Sequence, residues 1–538
     1  MGVPGSTAVT CGAPEVYRAA SALLGEAFAP AADAAATFYT VNTCSWPRTE
    51  TARLFLPEST VALDHAVQVR DARTGAPLPF VEEAQSNERH RAARRFLHVP
   101  VADVPAGGAV RLDIVPVAER SAPGDGNSGL SGDPTVVEND HLRVTVDLRE
   151  ACISSIVDKA TGREMVRQDA AVGFNGYVYD EYATAGAFNH QSSKTVADDS
   201  MHLLASRSTA PPAALVDRVT DATGQTLVYA CSPAGTRGLR VRVHLPHHAA
   251  RIDIENRIDK DATLTKESAF FAFPFALDNP VVHTEATGGV LGTDRETVPG
   301  SATHMRAVRR WISLSDGNSH AALATADAPL IQLGGIAIPY VPYPQSLRQE
   351  EPATVFSWVH NNIWDTNFPA QQAFDHVFRY SVGFGTTAEN PTVQADQLAL
   401  RVAAVTSHPL VPVRARAEGS SLPPAQTQFL TLDDSRVRLV GVTVPGDGRL
   451  MVRVQSLADT PVTCRLRTPF TVARAVRTNY LGLDPRDIGQ DRDGAVPVDI
   501  PPLGTAAVVL HPDPSARPAI RAARRAWSPA PLAGAPTA

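Results

Sequence analysis

Long stretches of this chain alternate apolar and polar residues one by one, and that period of two restricts the fold more than any other feature. Leu142, Val144, Val146 and Leu148 alternate with Arg143, Thr145 and Asp147. Leu239, Val241, Val243 and Leu245 alternate with Arg240, Arg242 and His244, and Leu450, Val452 and Val454 repeat the pattern near the end. Successive side chains of an extended strand point to opposite faces, so each run offers one face to a core and one to water, as antiparallel sheets require. Turn sequences lie between the runs: Gly124-Asp125-Gly126-Asn127, Asp316-Gly317-Asn318 and Gly446-Asp447-Gly448. A helical period shows only over 14–28, where Val16, Ala20, Leu23, Leu24 and Ala27 fall at helical spacing behind Pro14. No other long amphipathic helix is expected. The fold class is mainly β, in sandwich-like layers, with a short N-terminal helix.

A chain of 538 residues has room for several cores. Residues 120–134 are rich in Ser, Gly, Pro and Asp, and 386–396 are weakly patterned. The expected organisation is a helical segment and linker over 1–36, a small β-sandwich over 37–118, a linker over 119–134 and a large β-domain over 135–387. A C-terminal β-sandwich over 397–512 and a disordered Ala/Arg/Pro-rich tail over 513–538 complete it. The net charge of -7 leaves no basic footprint for nucleic acid. No apolar run approaches the roughly 18 residues of a membrane span. The five cysteines are odd in number, widely spaced and without CxxC, which argues against a disulfide framework or a zinc-thiolate site. With no basic-then-apolar leader at the N-terminus, a cytoplasmic location is expected.

Four segments carry a resemblance to a known family. They are Asn42-Thr43-Cys44-Ser45-Trp46-Pro47-Arg48-Thr49; Val137-Glu138-Asn139 leading to Ile153-Ser154-Ser155-Ile156-Val157-Asp158-Lys159-Ala160-Thr161-Gly162-Arg163-Glu164; Lys266-Glu267-Ser268-Ala269-Phe270-Phe271-Ala272-Phe273-Pro274-Phe275; and Asn361-Asn362-Ile363-Trp364-Asp365-Thr366-Asn367-Phe368 with Phe378-Arg379-Tyr380. In this order they resemble the C-terminal β-region of glycoside hydrolase family 38 α-mannosidases. The resemblance implies a galactose-mutarotase-like supersandwich flanked by smaller β-sandwiches, with the first helix a remnant of the bundle that joins barrel to β-domains. It also implies α-mannoside-type glycans as the carbohydrate class.

In that family a zinc ion, an Asp nucleophile and an acidic partner sit on an N-terminal barrel, with a His-x-Asp and a later His-His-Asp. This chain has only some 36 residues before its first β-domain. Its one His-x-Asp, His511-Pro512-Asp513, follows the last expected strand, and its one His-His, His247-His248, precedes Ala249 in an expected turn. No catalytic residue and no metal ligand is therefore assigned. Zinc is expected only with a family-type barrel, which a separate chain would supply as partner.

Candidate carbohydrate-binding residues come from two polar-aromatic stretches. One holds Tyr177, Tyr179, Asp180, Asn189 and His190; the other holds Trp358, His360, Asn361, Asn362, Trp364 and Asn367. Aromatic rings stack on the apolar faces of a pyranose while amide, imidazole and carboxylate groups bind its hydroxyls. Ordinary core packing and turn chemistry explain the same residue types. Glu267, on an apolar strand, reads as a hydrogen-bonded structural carboxylate. Asp180 and Glu181 are adjacent, so a strand sends them to opposite faces and they make a poor acid pair. Three readings remain: an incomplete α-mannosidase, a stand-alone carbohydrate-binding or scaffold protein, and a metal-independent epimerase or lyase using His190, Tyr179 and His360.

Overall fold

The computed structural model describes residues 20–22, 24–26, 28–85, 92–118, 132–183, 204–293, 298, 305–337, 351–363, 369, 371–386, 390–416, 425–444 and 448–513. The chain forms two compact units, Gly124–His408 and Met1–Pro123 with Pro409–Ala538. Described residues 20–22 and 24–25 of the expected first helix are helical. The tail from 514 lies outside the described residues.

The unit Gly124–His408 is built on two antiparallel sheets. The nine-stranded sheet runs in the order Ala214–Asp221, Gly224–Cys231, Gly238–Pro246, Arg251–Lys260, Phe374–Thr386, Ser319–Thr325, Trp311–Ser315, Val281–Ala286 and Gly289–Gly292. The six-stranded sheet runs Leu204–Thr209, Gly176–Tyr182, Glu267–Pro274, Thr354–Asn361, Leu330–Leu333 and Met305–Ala307. A four-stranded sheet, from Arg163–Glu164 to Val136–Glu138, shares the same core. The architecture is the mainly β supersandwich expected from the sequence.

Alternation does what the sequence demands of it. Arg251–Lys260 buries Ile252, Ile254, Asn256, Ile258 and Lys260 and turns the residues between them outward or leaves them half-buried. The strand Glu267–Pro274 is buried at all eight positions. Its near-continuous apolar run requires cover on both faces. Ala269, Phe271 and Phe273 enter the core between the sheets, whereas Phe270 and Ala272 pack on the reverse with Val178, Phe356 and Trp358. Each fully buried Phe contributes about 1.5–3 kcal/mol by leaving water.

One expectation is corrected. Pro391–Ser407 is a 17-residue α-helix, placed against the strands Trp311–Ser315, Ser319–Thr325 and Phe374–Thr386. Its buried side is Ala395, Asp396, Ala399, Leu400, Val402, Ala403 and Ala404, mostly small residues with a carboxylate among them, so no strong apolar stripe marks it. Small side chains let it lie close to the sheet: a Cβ on Gly383 would stand 2.7 Å from Val402 Cγ2. Asp396 anchors it, accepting from Ser313 Oγ at 2.5 Å and lying 2.9 Å from His283 Nδ1. Residues 397–407, read from sequence with the last sandwich, belong to this helix.

In the other unit, a sheet containing Ala36–Asn42, Gly108–Val117 and Ala66–Asp71 faces the three strands Arg48–Pro57, Arg94–Val104 and Val81–Gln85 across an apolar core. Val411–Arg414 returns to pair with Ala36–Asn42, which joins chain segments far apart in sequence. Asn42 explains the Asn-Thr-Cys-Ser-Trp-Pro-Arg motif. Its amide donates to the carbonyls of Trp46, Val104 and Pro105 and accepts from Cys44 N, fixing a buried turn. The C-terminal sandwich packs Val437–Thr443, Leu450–Ser456, Thr505–Pro512, Val472–Thr478 and Arg486–Ile488 against a three-stranded sheet around another apolar core.

Candidate functional site

The two stretches singled out in the sequence meet on one sheet. Gly176–Tyr182 and Thr354–Asn361 flank Glu267–Pro274. The register sets Tyr179 beside Ala269 and Asp180 beside Ser268 on one side, and His360 beside Ala269 and Trp358 beside Phe270 on the other, with a bulge between those last two pairs. Alternation then divides each stretch. Tyr177, Tyr179 and His360 share the inner side with Glu267, whereas Asp180 and Trp358 lie on the reverse.

The inner group is a buried charge cluster. Glu267 is 1 % and Lys260 4 % exposed. Lys260 Nζ lies 2.7 Å from Glu267 Oε1, and Tyr179 donates its hydroxyl to Glu267 Oε2 at 2.6 Å. His360 Nδ1 is 3.8 Å from Glu267 Oε1, and neither ring nitrogen has a hydrogen-bond partner among the described residues. Burial, with the Lys260 ammonium nearby, pushes the His360 imidazole down to about 3. Burial and the hydrogen bond to Glu267 push the Tyr179 phenol up. Tyr177 donates to Ala234 O at 3.4 Å, and its phenol is likewise pushed up by burial. The turn at Gly235 seals this end of the cluster: Gly235 has φ +75, and a Cβ there would stand 2.2 Å from the Tyr179 ring. Deeper in, Asn175 and Asn256 exchange amide hydrogen bonds of 3.0 and 2.7 Å.

On the reverse face, Arg207 holds Asp180 with two hydrogen bonds of 2.7 and 2.8 Å. That bidentate contact raises the Arg207 pKa. Tyr182 donates to the same carboxylate at 3.5 Å. Trp358 stacks on Phe270 with ring centroids 5.8 Å apart, and its indole N–H has no hydrogen-bond partner among the described residues. Asn361 is exposed. Asn362 braces the preceding loop, donating its amide to Thr263 O and Thr265 O at 2.9 and 3.1 Å. Asn189, His190, Trp364 and Asn367 lie outside the described residues.

Glycoside hydrolysis needs two carboxylates on either side of one scissile bond. Glu267 and Asp180 lie on opposite faces of their sheet, and each is already held by a cation. His360 and Tyr179 are shifted away from the range in which an acid–base pair exchanges protons near neutrality. Among the described residues no group of three His, Cys, Asp or Glu is arranged to hold a metal. His247 and His248 sit in the turn after Gly238–Pro246, as expected. A cleft of about 330 Å³ opens beside Gly176 and Tyr177, lined also by Asp147, Glu150, Ser154 and Gln168.

Two residues of this site escaped the sequence reading. Lys260 was legible, because it falls in phase with the inward Ile252, Ile254 and Ile258. Arg207 gave no signal, since Leu204–Thr209 is a mostly polar edge strand.

Comparison with known proteins places these observations. Residues 137–328 match the family described as the glycosyl hydrolases family 38 C-terminal domain. A glycosyl hydrolase family 38 protein from Enterococcus faecalis superposes with a TM-score of 0.63 at 14% identity, over 91% of this chain and 60% of its own. An alpha-mannosidase from Enterococcus faecalis V583 gives 0.63 at 13% identity, over 93% and 58%. A galactose mutarotase related enzyme from Lactobacillus acidophilus aligns over 47% of this chain and 98% of its own, at 12% identity with a TM-score of 0.28. No curated protein matches. Identities this low to solved structures show a shared fold alone. The chain spans 60% and 58% of the lengths of the two Enterococcus faecalis structures. The likeness read from the motifs thus holds as a family match over 137–328, and as a fold over most of the chain.

Proposed function

We propose that this chain, whose residues 137–328 are a glycosyl hydrolases family 38 C-terminal domain, is the carbohydrate-facing β-portion of an α-mannosidase-type glycoside hydrolase. Its substrates are α-mannoside glycans, and turnover needs residues that these 538 do not supply. The family match is the observation that carries the reading. The placement of Glu267 and Asp180 supports the second half of it, because the two carboxylates lie on opposite faces of their sheet and each is already paired with a cation. A partner chain with a zinc-binding barrel is the source of the missing groups, and this chain alone holds no metal. A reducing, cytoplasmic setting agrees with the described cysteines, Cys44, Cys152, Cys231 and Cys464, which are all free thiols. No helix among the described residues is long and apolar enough to cross a membrane.

The test is an assay of the purified chain on a chromogenic α-mannoside, with and without added zinc, beside a zinc measurement and affinity electrophoresis through α-mannan. The expected result is retardation by mannan without turnover or stoichiometric zinc. Zinc-dependent turnover by this chain alone would overturn its incompleteness, and unretarded migration would overturn its carbohydrate role.

A further inference from the structure

The cleft beside Gly176 has hydrogen-bond acceptors to spare. It is about 330 Å³ in volume and lies between the strand Gly176–Tyr182 and the hairpin of Leu142–Asp147 with Cys152–Asp158. Its walls are fixed. Ile153 and Phe174 exchange backbone hydrogen bonds of 2.8 and 3.2 Å, and Gly173 lies so close to Cys152 that a Cβ there would collide with Sγ. Asp147 Oδ1 accepts from Arg149 N and Glu150 N at 2.7 and 3.4 Å, which leaves Oδ2 without a partner among the described residues. Gln168 donates its amide to Ser154 O and Val166 O at 3.0 and 3.2 Å, so its Oε1 is left to accept. The Glu150 carboxylate, on an exposed residue, meets no cation among the described residues, because Arg167 of the same lining turns to Asp169 at 3.1 Å. The Cys152 thiol also lines the cleft, is 4% exposed and has no hydrogen-bond partner among the described residues. Burial pushes it up to about 12, and the charges of Asp147 and Glu150 add to the rise, so their negative field reaches the buried end of the cleft.

We propose that this cleft binds one sugar residue of a glycan through its hydroxyl groups, at a place distinct from the Glu267 cluster. The inference rests on the proposed carbohydrate role and gives that role a location. Acceptors of Asp147, Glu150 and Gln168 around one recess call for a ligand that is small and rich in donors, and a sugar presents several hydroxyls from one ring. The volume is near the low end of small-molecule sites, about 300–1,000 Å³, which suits a single ring rather than a chain. An anionic ligand would be repelled by Asp147 and Glu150. A wholly apolar one would cover these acceptors without satisfying them. Because Asp147 and Gln168 are already held by backbone groups, little freedom is lost when the ligand arrives.

Isothermal titration calorimetry of the full chain with methyl α-D-mannoside tests it. Two variants alter the cleft at exposed positions: Glu150→Lys puts a cation among the acceptors, and Thr209→Trp fills the opposite wall. Glu58→Lys makes the same charge change at an exposed residue of the other unit and serves as control. Far-ultraviolet circular dichroism confirms that the variants are folded. The expected result is binding by the parent and the control with one dissociation constant, raised at least about tenfold in both cleft variants. Equal binding by all four proteins would overturn the cleft as the site and leave the carbohydrate role standing. A parent that is retarded by α-mannan but binds no methyl α-D-mannoside would also overturn the cleft alone, whereas absence of both would overturn the carbohydrate role with it.

Discussion

The interior of the supersandwich and the exterior of the C-terminal sandwich break the same rule in opposite directions. The first buries a Lys–Glu pair, a tyrosine hydroxyl, an imidazole and two amides among phenylalanines. The second keeps a core of Val, Leu, Ile and Ala and puts leucines in water. Departures from binary patterning mark places where something other than folding sets the residue. A buried ion pair is weak evidence of stability, because desolvation offsets most of its attraction. Its consequence is that neither partner is dispensable alone. An exposed leucine carries no such constraint.

The largest expected effect breaks the inner cluster. Lys260→Met leaves the Glu267 carboxylate buried with only Tyr179 to donate to it, and should cost about 3–5 kcal/mol in denaturant unfolding. Replacing both partners, Lys260→Met with Glu267→Leu, should recover most of that loss. A single variant as stable as the parent would mean that water already reaches Glu267. Next comes Gly235→Ala. The left-handed φ and the 2.2 Å approach to the Tyr179 ring act together. A loss of about 1–3 kcal/mol is expected in the same measurement.

How much of this was readable in advance follows from the same contrast. Alternation placed the strands, because one residue's polarity suffices to choose a face. It also contained Asn256 and Lys260, two polar residues in phase with the inward isoleucines of Arg251–Lys260. The helix Pro391–Ser407 was not readable, because its buried side is mostly alanine, with Asp396 beside only Leu400 and Val402. The candidate stretches were found, but their division between two faces depends on registers with Glu267–Pro274, which lie some 90 residues from either stretch in sequence. The pairing of Arg207 with Asp180 likewise exists only once the edge strand Leu204–Thr209 aligns with Gly176–Tyr182.

Two buried imidazoles, His360 of the inner cluster and His244 of the strand Gly238–Pro246, give the fold a pH signature. His360 is pushed down to about 3 and His244 to about 4, both chiefly by burial, from an ordinary 6.5. Below that ordinary value the unfolded chain takes up protons that the folded chain refuses, so stability falls as pH drops from 6.5 towards these lower values. The groups facing His360 are Lys260, Glu267 and the Phe374 ring. Removing its titration with His360→Leu should flatten the fall by up to about 1.4 kcal/mol per pH unit. Denaturant unfolding at a series of pH values on the acid side of neutrality measures the slope. A variant with the parent's slope would show that His360 already protonates in the folded chain.

The smallest expected effect lies on the other side of the comparison. Leu481 and Leu483 are 80% and 59% exposed, in the turn between Val472–Thr478 and Arg486–Ile488. Leu481→Asp and Leu483→Asp touch no core, and the hydrogen bonds of their turn use backbone groups and Asn479, which both variants keep. In denaturant unfolding, each should change the free energy by less than about 0.5 kcal/mol. Asn479→Ala is the complementary variant. It leaves the leucines in place and removes their brace, so it should loosen the turn without adding charge. A stability loss from either aspartate as large as that of Gly235→Ala would mean that these leucines belong to the sandwich after all. The contrast between charge held inside and apolar surface held outside would then disappear.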